Sequence, residues 1–221
     1  MCGRYASSRR PDDLVTYFEV EQPPEQVLEP SWNVAPTDPV YAVVQRPSGR
    51  QLRVLRWGLV PSWSSDAKGA ARMINARMES VKDKPAFRKA YATRRCLVPA
   101  DGYYEWKPEG AAKQPYFLAE RDGGPLAMAG LYEHWKSPDG DWLSTCTVIT
   151  TTAPDELGEI HDRTPLLVPR DQWARWLDPE VPDPGEGLLV PGTPGVLDAW
   201  PVGKDVGNVR NNGPHLVAPV P

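Results

Sequence analysis

Proline limits what this chain can fold into more than any other residue type. Its 221 residues include 26 prolines and 18 glycines, spread along the whole length. Because proline ends helices and removes a hydrogen-bond donor from central strands, these residues divide the chain into short elements. With 40% hydrophobic residues, the chain is still able to bury a substantial core. The pattern therefore predicts one folded domain made of short elements.

Apolar runs rich in β-branched and aromatic residues, bounded by turn formers, predict the strands. They are Val40–Gln45, Gln51–Leu59, Arg95–Trp106, Pro115–Glu120, Leu126–Trp135, Ser144–Thr151 and Leu166–Pro169. Helical periodicity is scarcer. It predicts helices at Pro11–Val20, Lys84–Thr93, Pro154–Ile160 and Arg170–Leu177.

Strands outnumber these helices and do not alternate with them regularly, which argues against a βαβ repeat. We therefore expect an α+β fold: a single domain, 1–221, with a curved, mainly antiparallel, barrel-like β-sheet core and a few short helices. Residues 178–196 are dense in proline, glycine and acidic residues, and we expect them to form a surface insertion.

Composition excludes several classes of protein. No run approaches the about 18 apolar residues that a membrane helix needs, and the first residues lack the layout of a secretory signal. Three cysteines, Cys2, Cys96 and Cys146, are too few for a disulfide framework, and no Cys or His spacing resembles a metal site. We expect a cytoplasmic monomer (nucleoid-associated if bacterial) with no membrane partner, metal or other cofactor, and with Cys96 and Cys146 in the core.

The charge distribution is uneven although the net charge is only −4. Residues 46–107 carry fourteen Lys or Arg against five Asp or Glu, whereas residues 111–221 carry eight against sixteen. A basic segment of this kind is typical of a phosphate-binding face, and the alternative is a solvated surface whose charges balance across the fold. Charge alone permits a nucleic-acid partner without requiring one.

Cys2 has the most unusual position of the residues that carry chemistry. Removal of Met1, which is common before a small residue, turns Cys2 into a 1,2-aminothiol. Reference pKa values of roughly 7.7–8.0 for the amine and about 8.5 for the thiol leave part of each nucleophilic near neutrality. The amine attacks an aldehyde to give a Schiff base, and the thiol then closes a thiazolidine ring. The alternative is an ordinary residue of the chain terminus.

Two further residues have the chemistry of proton carriers. Alternation in the predicted strand places Glu105 on one face with Tyr103, where desolvation would raise the carboxyl pKa; the alternative is a strand-end carboxylate in water. His161 follows a short predicted helix and is suited to proton transfer, or else to an interaction with the carbonyls at that helix end.

Polar and aromatic residues that suit nucleic acid complete the set of candidates. Asn75 and Arg77 alternate in one run, so that Arg77 offers a phosphate clamp while Asn75 orients a small polar group. Trp57, Trp63 and Trp106 are either stacking platforms for unpaired bases or core residues.

Collected in order, eight segments resemble the SOS response-associated peptidase (SRAP) family. They are Met1–Tyr5, Trp32–Pro36, Trp57–Trp63, Ile74–Arg77, Arg95–Trp106, Ala129–Glu133, Ile160–Arg163 and Val206–Asn212. Each motif alone is weak, but eight in the right order are specific. The resemblance runs from residue 1 to about residue 219, nearly the whole chain.

The resemblance implies covalent capture of abasic (AP) sites in single-stranded DNA, with AP lyase chemistry as a side reaction. Residues that match the family's catalytic positions are Cys2, Asn75, Glu105 and His161. Residues that match its DNA contacts are Arg4, Trp63, Arg77, Trp106, Thr150 and Arg163, of which Arg4 and Thr150 rest on the resemblance alone. Two alternatives remain, a cysteine peptidase that removes Met1 and a binder of single-stranded DNA without catalysis.

The chain departs from the family pattern at two positions. Ser64 stands where an aromatic residue often follows the Trp of the Pro-Ser-Trp motif, which predicts weaker base stacking beside the lesion. Thr164 stands where the family has Met after His-Asp-Arg, and we expect this change to be mild.

Overall fold

The computed structural model describes residues 2–154, 157–184 and 187–220. Within these ranges the strands are β1 Tyr5–Ser7, β2 Ser31–Val34, β3 Pro39–Arg46, β4 Gly49–Trp57, β5 Asn75–Arg77, β6 Arg95–Ala100, β7 Gly102–Glu109, β8 Ala112–Glu120, β9 Leu126–Lys136, β10 Trp142–Thr152, β11 Arg163–Pro165 and β12 Leu197–Pro201. The helices are α1 Pro11–Tyr17, α2 Arg88–Thr93, α3 Leu157–Ile160 and α4 Trp173–Leu177. None of these helices is long and apolar enough to cross a membrane.

Five strands close into a barrel in the order β10, β4, β3, β6, β9 and back to β10. All pairings in this ring are antiparallel except β4 with β10. One cluster of buried side chains combines Val40, Cys96 and Val148 of the barrel with Cys2 and Tyr5. The expected α+β fold with a mainly antiparallel, barrel-like core is confirmed, and Cys96 and Cys146 are buried as predicted.

Strand β10 extends beyond the barrel and carries two short strands at its carboxyl end. On one edge β10 pairs first with β9 and then with β11, and on the other edge first with β4 and then with β5. Asn75 therefore lies opposite Val148, and Arg163 lies opposite Thr152. Strand β10 thus brings two candidate site residues to one end of the barrel.

The second sheet has the order β12, β8, β7, β1, β2 and is antiparallel throughout. Its β7 side chains alternate as predicted: Tyr103 joins the cluster that contains Cys2, whereas Tyr104 joins another with Phe117. Helices α1, α2 and α4 contribute Leu14, Tyr91 and Trp176 to a further cluster with barrel strands β3, β4 and β6.

The structure corrects the predicted run Arg95–Trp106, which is two strands in different sheets. The chain turns at Asp101, whose carboxylate accepts hydrogen bonds from the Ser8 backbone N–H, the Ser8 hydroxyl and the Arg9 guanidinium. These contacts fix the corner between β6 and β7. Leu166–Pro169 is not a strand either, since Leu167 makes only an isolated bridge to Met128.

Other boundaries also differ from the predictions. The helix predicted at Lys84–Thr93 begins only at Arg88, three residues after Pro85. Strands β1, β2, β5, β11 and β12 were missed, because runs of three to five residues give too little periodicity. Of the helix predicted at Pro154–Ile160, residues 155–156 lie outside the described residues, as do residues 185–186 of the segment 178–196.

Arg95 is a buried cation that anchors α4 and the chain after it. Its guanidinium donates to the carbonyls of Tyr91, Ala92, Trp176, Asp178 and Val181. Each of these carbonyls belongs to a chain segment that packs against β6. Arg95 therefore ties the end of α2 to α4 and to the segment that follows α4.

We expect Arg95→Met to lower the free energy of unfolding by about 3 kcal/mol or more, because it removes five hydrogen bonds to carbonyls in a buried or partly buried setting. Urea unfolding followed by circular dichroism measures the change. Arg88→Met, at an exposed position of α2, is the matched control and should change stability by less than about 0.5 kcal/mol. An Arg95→Met protein as stable as the parent would contradict the anchoring role.

Candidate active site around Cys2

Cys2 lies fully buried between the barrel and the second sheet. The Asn75 side-chain Nδ2 donates to the Cys2 carbonyl oxygen at 2.7 Å, and the Cys2 Sγ lies 3.8 Å from the Arg4 carbonyl oxygen. Burial, reinforced by the charge of Glu105, raises the pKa of the Cys2 thiol far above its ordinary value. The thiol is therefore neutral at physiological pH. Met1 lies outside the described residues, so its removal stays a prediction.

Asn75 is held in place by β5, which lies parallel to β10 with Asn75 opposite Val148. Its Nδ2 is used by Cys2, whereas its Oδ1 is buried and accepts no hydrogen bond from the residues described. A buried amide oxygen without a donor is unfavourable and is usually satisfied by a ligand, a water or an unseen group. Asn75 is thus anchored on one side and has a free acceptor on the other.

Glu105 is buried within the second sheet, with only 3% of its surface exposed. The alternative of a strand-end carboxylate in water is therefore wrong. Burial raises the pKa of the Glu105 carboxyl to about 7. Near neutral pH this carboxyl is present in both its protonated and its ionised form, as a proton carrier requires.

His161 faces Glu105, with its Nε2 4.0 Å from the Glu105 Oε2. Its Nδ1 accepts a hydrogen bond from the backbone N–H of Arg163 at 3.0 Å and lies 3.0 Å from the Asp162 carboxylate. Burial lowers the pKa of His161, which favours the neutral ring. The Nδ1 edge of the ring is thus held by Arg163 and Asp162, and the Nε2 edge lies on the side of Glu105. The helix-end alternative does not describe this ring, whose Nδ1 bonds to an N–H group rather than to a carbonyl.

Arg163 is oriented by two oxygen-bearing neighbours. Its guanidinium makes a two-pronged contact with the Glu79 carboxylate at 2.6 and 3.0 Å and donates to the Thr150 carbonyl oxygen at 2.6 Å. Thr150 itself is fully buried, so its side chain offers no surface to a strand of DNA. The structure therefore places Thr150 behind Arg163, as a support for the guanidinium.

The two remaining arginines differ in how many hydrogen bonds they make within the fold. Arg4 donates to the side chain of Asn33 at 2.7 Å and to the carbonyls of Val206 and Gly207 at 2.9 and 3.4 Å. It thereby ties the segment after Cys2 to residues near the carboxyl terminus. Arg77, at the end of β5, is exposed.

The three tryptophans separate into core and surface residues. Trp57 is fully buried and donates to the Ile74 carbonyl at 2.9 Å, so its core alternative is confirmed. Trp63 is 68% exposed, and Trp106 is partly exposed with its ring centroid 6.4 Å from that of Tyr104. Trp63 and Trp106 therefore remain as surfaces for stacking.

The two departures from the family pattern both have local partners. The Ser64 hydroxyl donates to the Asp66 carbonyl at 2.7 Å, and the Ser64 carbonyl accepts from the Trp135 indole N–H. The Thr164 hydroxyl lies 2.9 Å from the Tyr103 hydroxyl in the buried layer next to Cys2. Both substituted residues are thus accommodated within the fold.

Sequence reasoning missed Glu79 and the buried Tyr103–Thr164 pair. Glu79 lies two residues after the Asn-Ala-Arg run and far in sequence from Arg163, so only the fold brings them together. Tyr103 had been placed on the Glu105 face, but its partner Thr164 could not be read from strand alternation. Within the described ranges no group of three or more His, Cys, Asp or Glu side chains is arranged to hold a metal ion.

Comparisons with known proteins converge on one family. The model of the SOS response associated peptidase (SRAP) family matches residues 1–209. The chain is 38% identical to the abasic site processing protein YoqW of Bacillus subtilis, covering 98% of this chain and 99% of that protein. It is 31% identical to the abasic site processing protein YedK of Escherichia coli, covering all of both chains. A crystal structure of a Bacteroides thetaiotaomicron protein superposes with a TM-score of 0.87 at 24% identity, covering 99% of this chain and all of that one.

Proposed function

Because this chain belongs to the SOS response associated peptidase (SRAP) family, we propose that it processes abasic sites in single-stranded DNA by forming a covalent bond through Cys2. Relatives named as abasic site processing proteins match over nearly the whole chain. The observation that carries the proposal is the arrangement at Cys2: its carbonyl is held by Asn75, next to a buried Glu105 carboxyl with a pKa of about 7. The product shields the lesion during the response to DNA damage.

The reaction proceeds in two balanced steps after hydrolysis of the Met1–Cys2 bond. The ring-opened abasic sugar presents an aldehyde at C1′, which the Cys2 α-amine attacks; loss of water gives a Schiff base. The sulfur then adds to the imine carbon, and the thiol proton passes to the imine nitrogen, which closes the thiazolidine. No cofactor enters this sequence. The Schiff base also acidifies C2′, so that β-elimination is a competing side reaction.

Glu105 carries protons between these steps. In its ionised form it accepts a proton from the attacking amine, and in its protonated form it donates to the departing hydroxyl. A pKa near the working pH keeps both forms populated. His161, whose lowered pKa favours the neutral ring and whose Nε2 faces Glu105, is placed to assist at the sugar ring oxygen and in slow reversal. The open acceptor of Asn75 orients the amine or a sugar hydroxyl, a positioning effect that lowers the barrier.

The neutral thiol supports this chemistry over general proteolysis. Cysteine peptidases attack with a thiolate whose pKa has been lowered, whereas burial raises the pKa of the Cys2 thiol. Ring closure needs a proton for the imine nitrogen, and a protonated thiol supplies it. Cleavage of other proteins is therefore the weaker alternative, and hydrolysis limited to the Met1–Cys2 bond remains compatible with the proposal.

The DNA strand is proposed to cross the surface next to Cys2. Arg77 is exposed for a phosphate, whereas Arg163 reaches a phosphate from its position between Glu79 and Thr150. Trp63 and Trp106 offer ring faces for bases flanking the lesion. Arg4 acts through the fold, since its hydrogen bonds to Asn33, Val206 and Gly207 position the segment that carries Cys2.

We expect the purified protein, with its mature N-terminus verified by mass spectrometry, to form a slow-migrating band on a denaturing gel with an oligonucleotide that carries one abasic site. An undamaged oligonucleotide and one whose abasic aldehyde has been reduced to an alcohol should give no band, because only the aldehyde reacts with the amine. Binding to the damaged strand without any band would indicate a binder without covalent chemistry. Cleavage of a generic protein substrate would favour the peptidase.

A further inference from the structure

The barrel has a second end that the proposed chemistry does not use. Asn75 and β11 join β10 near its carboxyl end, whereas Ser144 and Trp142 lie at its start. Ser144 and Thr150 are separated by about 20 Å of extended strand. The end of the barrel at Ser144, called here the far end, is therefore remote from the catalytic candidates.

A cation and a histidine form the centre of the far end. Arg46, the last residue of β3, donates from its Nη2 to the His134 Nε2 at 3.3 Å, and its guanidinium lies 5.4 Å from the centroid of the Tyr132 ring. His134 Nδ1 lies 2.9 Å from the Ser144 hydroxyl, opposite it in the β9–β10 ladder. Since Arg46 is a donor only, the His134 Nε2 is an acceptor and the ring is neutral. Burial and then the Arg46 charge lower the pKa of His134, in agreement with this.

The charge of Arg46 is not balanced by a carboxylate. Residues 2–154, 157–184 and 187–220 contain no carboxylate in an ion pair with it, and its contacts are an imidazole and a phenol ring. The charges of Arg94 and Arg53 also lower the pKa of His134, but each of these arginines has a carboxylate partner. Arg94 pairs with Glu133 at 2.8 Å, and Arg53 pairs with Glu25 at 3.9 Å. Arg46 is thus a preorganised guanidinium with N–H groups left for a ligand anion.

An exposed aromatic ring lies on the same face of the hairpin. Trp142 is 70% exposed, and it is the residue opposite Lys136 in the β9–β10 ladder. The Lys136 Nζ lies 5.8 Å from the Trp142 ring centroid. Because side chains alternate along a strand, Trp142 and Ser144 share a face, as do Lys136 and His134. Two cationic side chains, Arg46 and Lys136, and the exposed Trp142 ring therefore lie near one another on this surface.

We propose that the far end of the barrel is a second nucleic-acid contact, in which Arg46 and Lys136 bind phosphates and Trp142 stacks on a base of a single strand. A guanidinium fork matches a phosphate, and base stacking on exposed aromatics beside cations is the usual way in which single strands are held without sequence preference. The choice of a single strand as the ligand rests on the proposed function. The contact itself requires neither Cys2 nor an abasic site.

We expect Trp142→Ala to bind a fluorescein-labelled, undamaged thymidine oligonucleotide of about 20 nucleotides about tenfold more weakly than the parent in an anisotropy titration. Lys136→Ala should lower the slope of log K against log salt by about one charge contact. Both side chains are exposed, so neither variant should lose the fold, which circular dichroism verifies. Crosslinking to an abasic oligonucleotide of about 5 nucleotides with the lesion at its centre should stay at the parent level, because the two nucleotides on either side are too short to span the about 20 Å to the far end.

Trp63→Ala is the matched control, an equally exposed tryptophan that lines a pocket with Pro61, Ala86 and Glu133. Because side chains alternate along β9, Glu133 lies on the face opposite to His134. Trp63→Ala should reduce crosslinking of the short oligonucleotide, which Trp142→Ala leaves unchanged. The proposal would be overturned if Trp142→Ala bound the long strand as tightly as the parent. It would also be overturned if only Lys136→Ala lost affinity, because the proposed contact includes base stacking as well as charge. Since the titration uses undamaged DNA, it decides this proposal even if no covalent product ever forms.

Discussion

Cys2→Ala is expected to form no abasic-site product that survives a denaturing gel, whereas the parent forms one. Alanine keeps the α-amine once Met1 is removed, so the Schiff base still forms, but without sulfur the ring does not close and the imine hydrolyses. Adding borohydride to the Cys2→Ala reaction should therefore restore a band by trapping the imine. The two gels, with and without reductant, separate the contribution of the amine from that of the thiol.

Cys146→Ala is the matched control for this experiment. Cys146 is also buried, and burial raises the pKa of its thiol to about 12, yet it lies on β10 inside the barrel. It should retain the stable band of the parent at some cost in stability. A stable band from Cys2→Ala without borohydride would place the covalent bond on another residue and refute the role assigned to Cys2.

Glu105→Gln is expected to slow formation of the covalent product by about 10²–10⁴-fold, the usual contribution of a positioned acid–base group. Glutamine keeps the size of the side chain but carries no titratable proton. The parent rate should peak near pH 7, because the carboxyl cannot accept a proton well below its pKa of about 7 or donate one well above it. In the variant the fall in rate above pH 7 should disappear, and the rate should instead rise with pH as the Cys2 amine loses its proton. Rates from quenched time points across pH 5–9 measure both effects.

Glu105→Gln should slow the reaction but make the folded chain more stable at neutral and higher pH. The Glu105 carboxyl loses its proton near pH 7 in the folded chain but near pH 4.3 in the unfolded chain. The folded state therefore binds more protons between these values, and its stability falls as the pH rises through this window. We expect Glu105→Gln to be more stable than the parent above pH 7, by about 4 kcal/mol at most, and equally stable below pH 4.

Glu109→Gln, at the exposed end of the same strand, controls for the change of charge and should alter neither rate nor stability appreciably. If both variants reacted at the parent rate, Glu105 would not be the proton carrier. A loss of rate without the gain in stability would instead indicate that the carboxyl is ionised in the folded state and stabilised by its neighbours.

Local patterns in the sequence predicted those parts of the fold that depend on nearest neighbours. Alternation placed Tyr103 and Glu105 on one face of β7, and the apolar runs gave β3, β4, β8, β9 and β10 nearly to their ends. The corner at Asp101 could not be predicted in this way, because it depends on Ser8 and Arg9, more than 90 residues away. Arg95 likewise looked like part of an apolar strand, and only the packing of α4 shows why a cation is buried there.

The candidate site was predictable in its residues but not in its geometry. The family resemblance identifies Cys2, Asn75, Glu105 and His161 as candidates but not their arrangement. The hydrogen bond from Asn75 to Cys2 depends on the three-residue strand β5 and its parallel pairing with β10. Thr150 and Arg163 were both assigned to DNA, yet burial turns Thr150 into a support for Arg163. Distinguishing a contact from its support requires the fold.

The position of β10 in the chain also sets the order in which the site can assemble. Barrel closure and both short strands of the site depend on residues 142–152, which are synthesised only after the first 141 residues. The pairings of β10 with β4 and β5 join residues distant in sequence, and such contacts form slowly. Until β10 has paired, Cys2 is not buried and Asn75 is not held in β5. A partly folded chain therefore exposes its reactive groups without the surrounding residues that orient them.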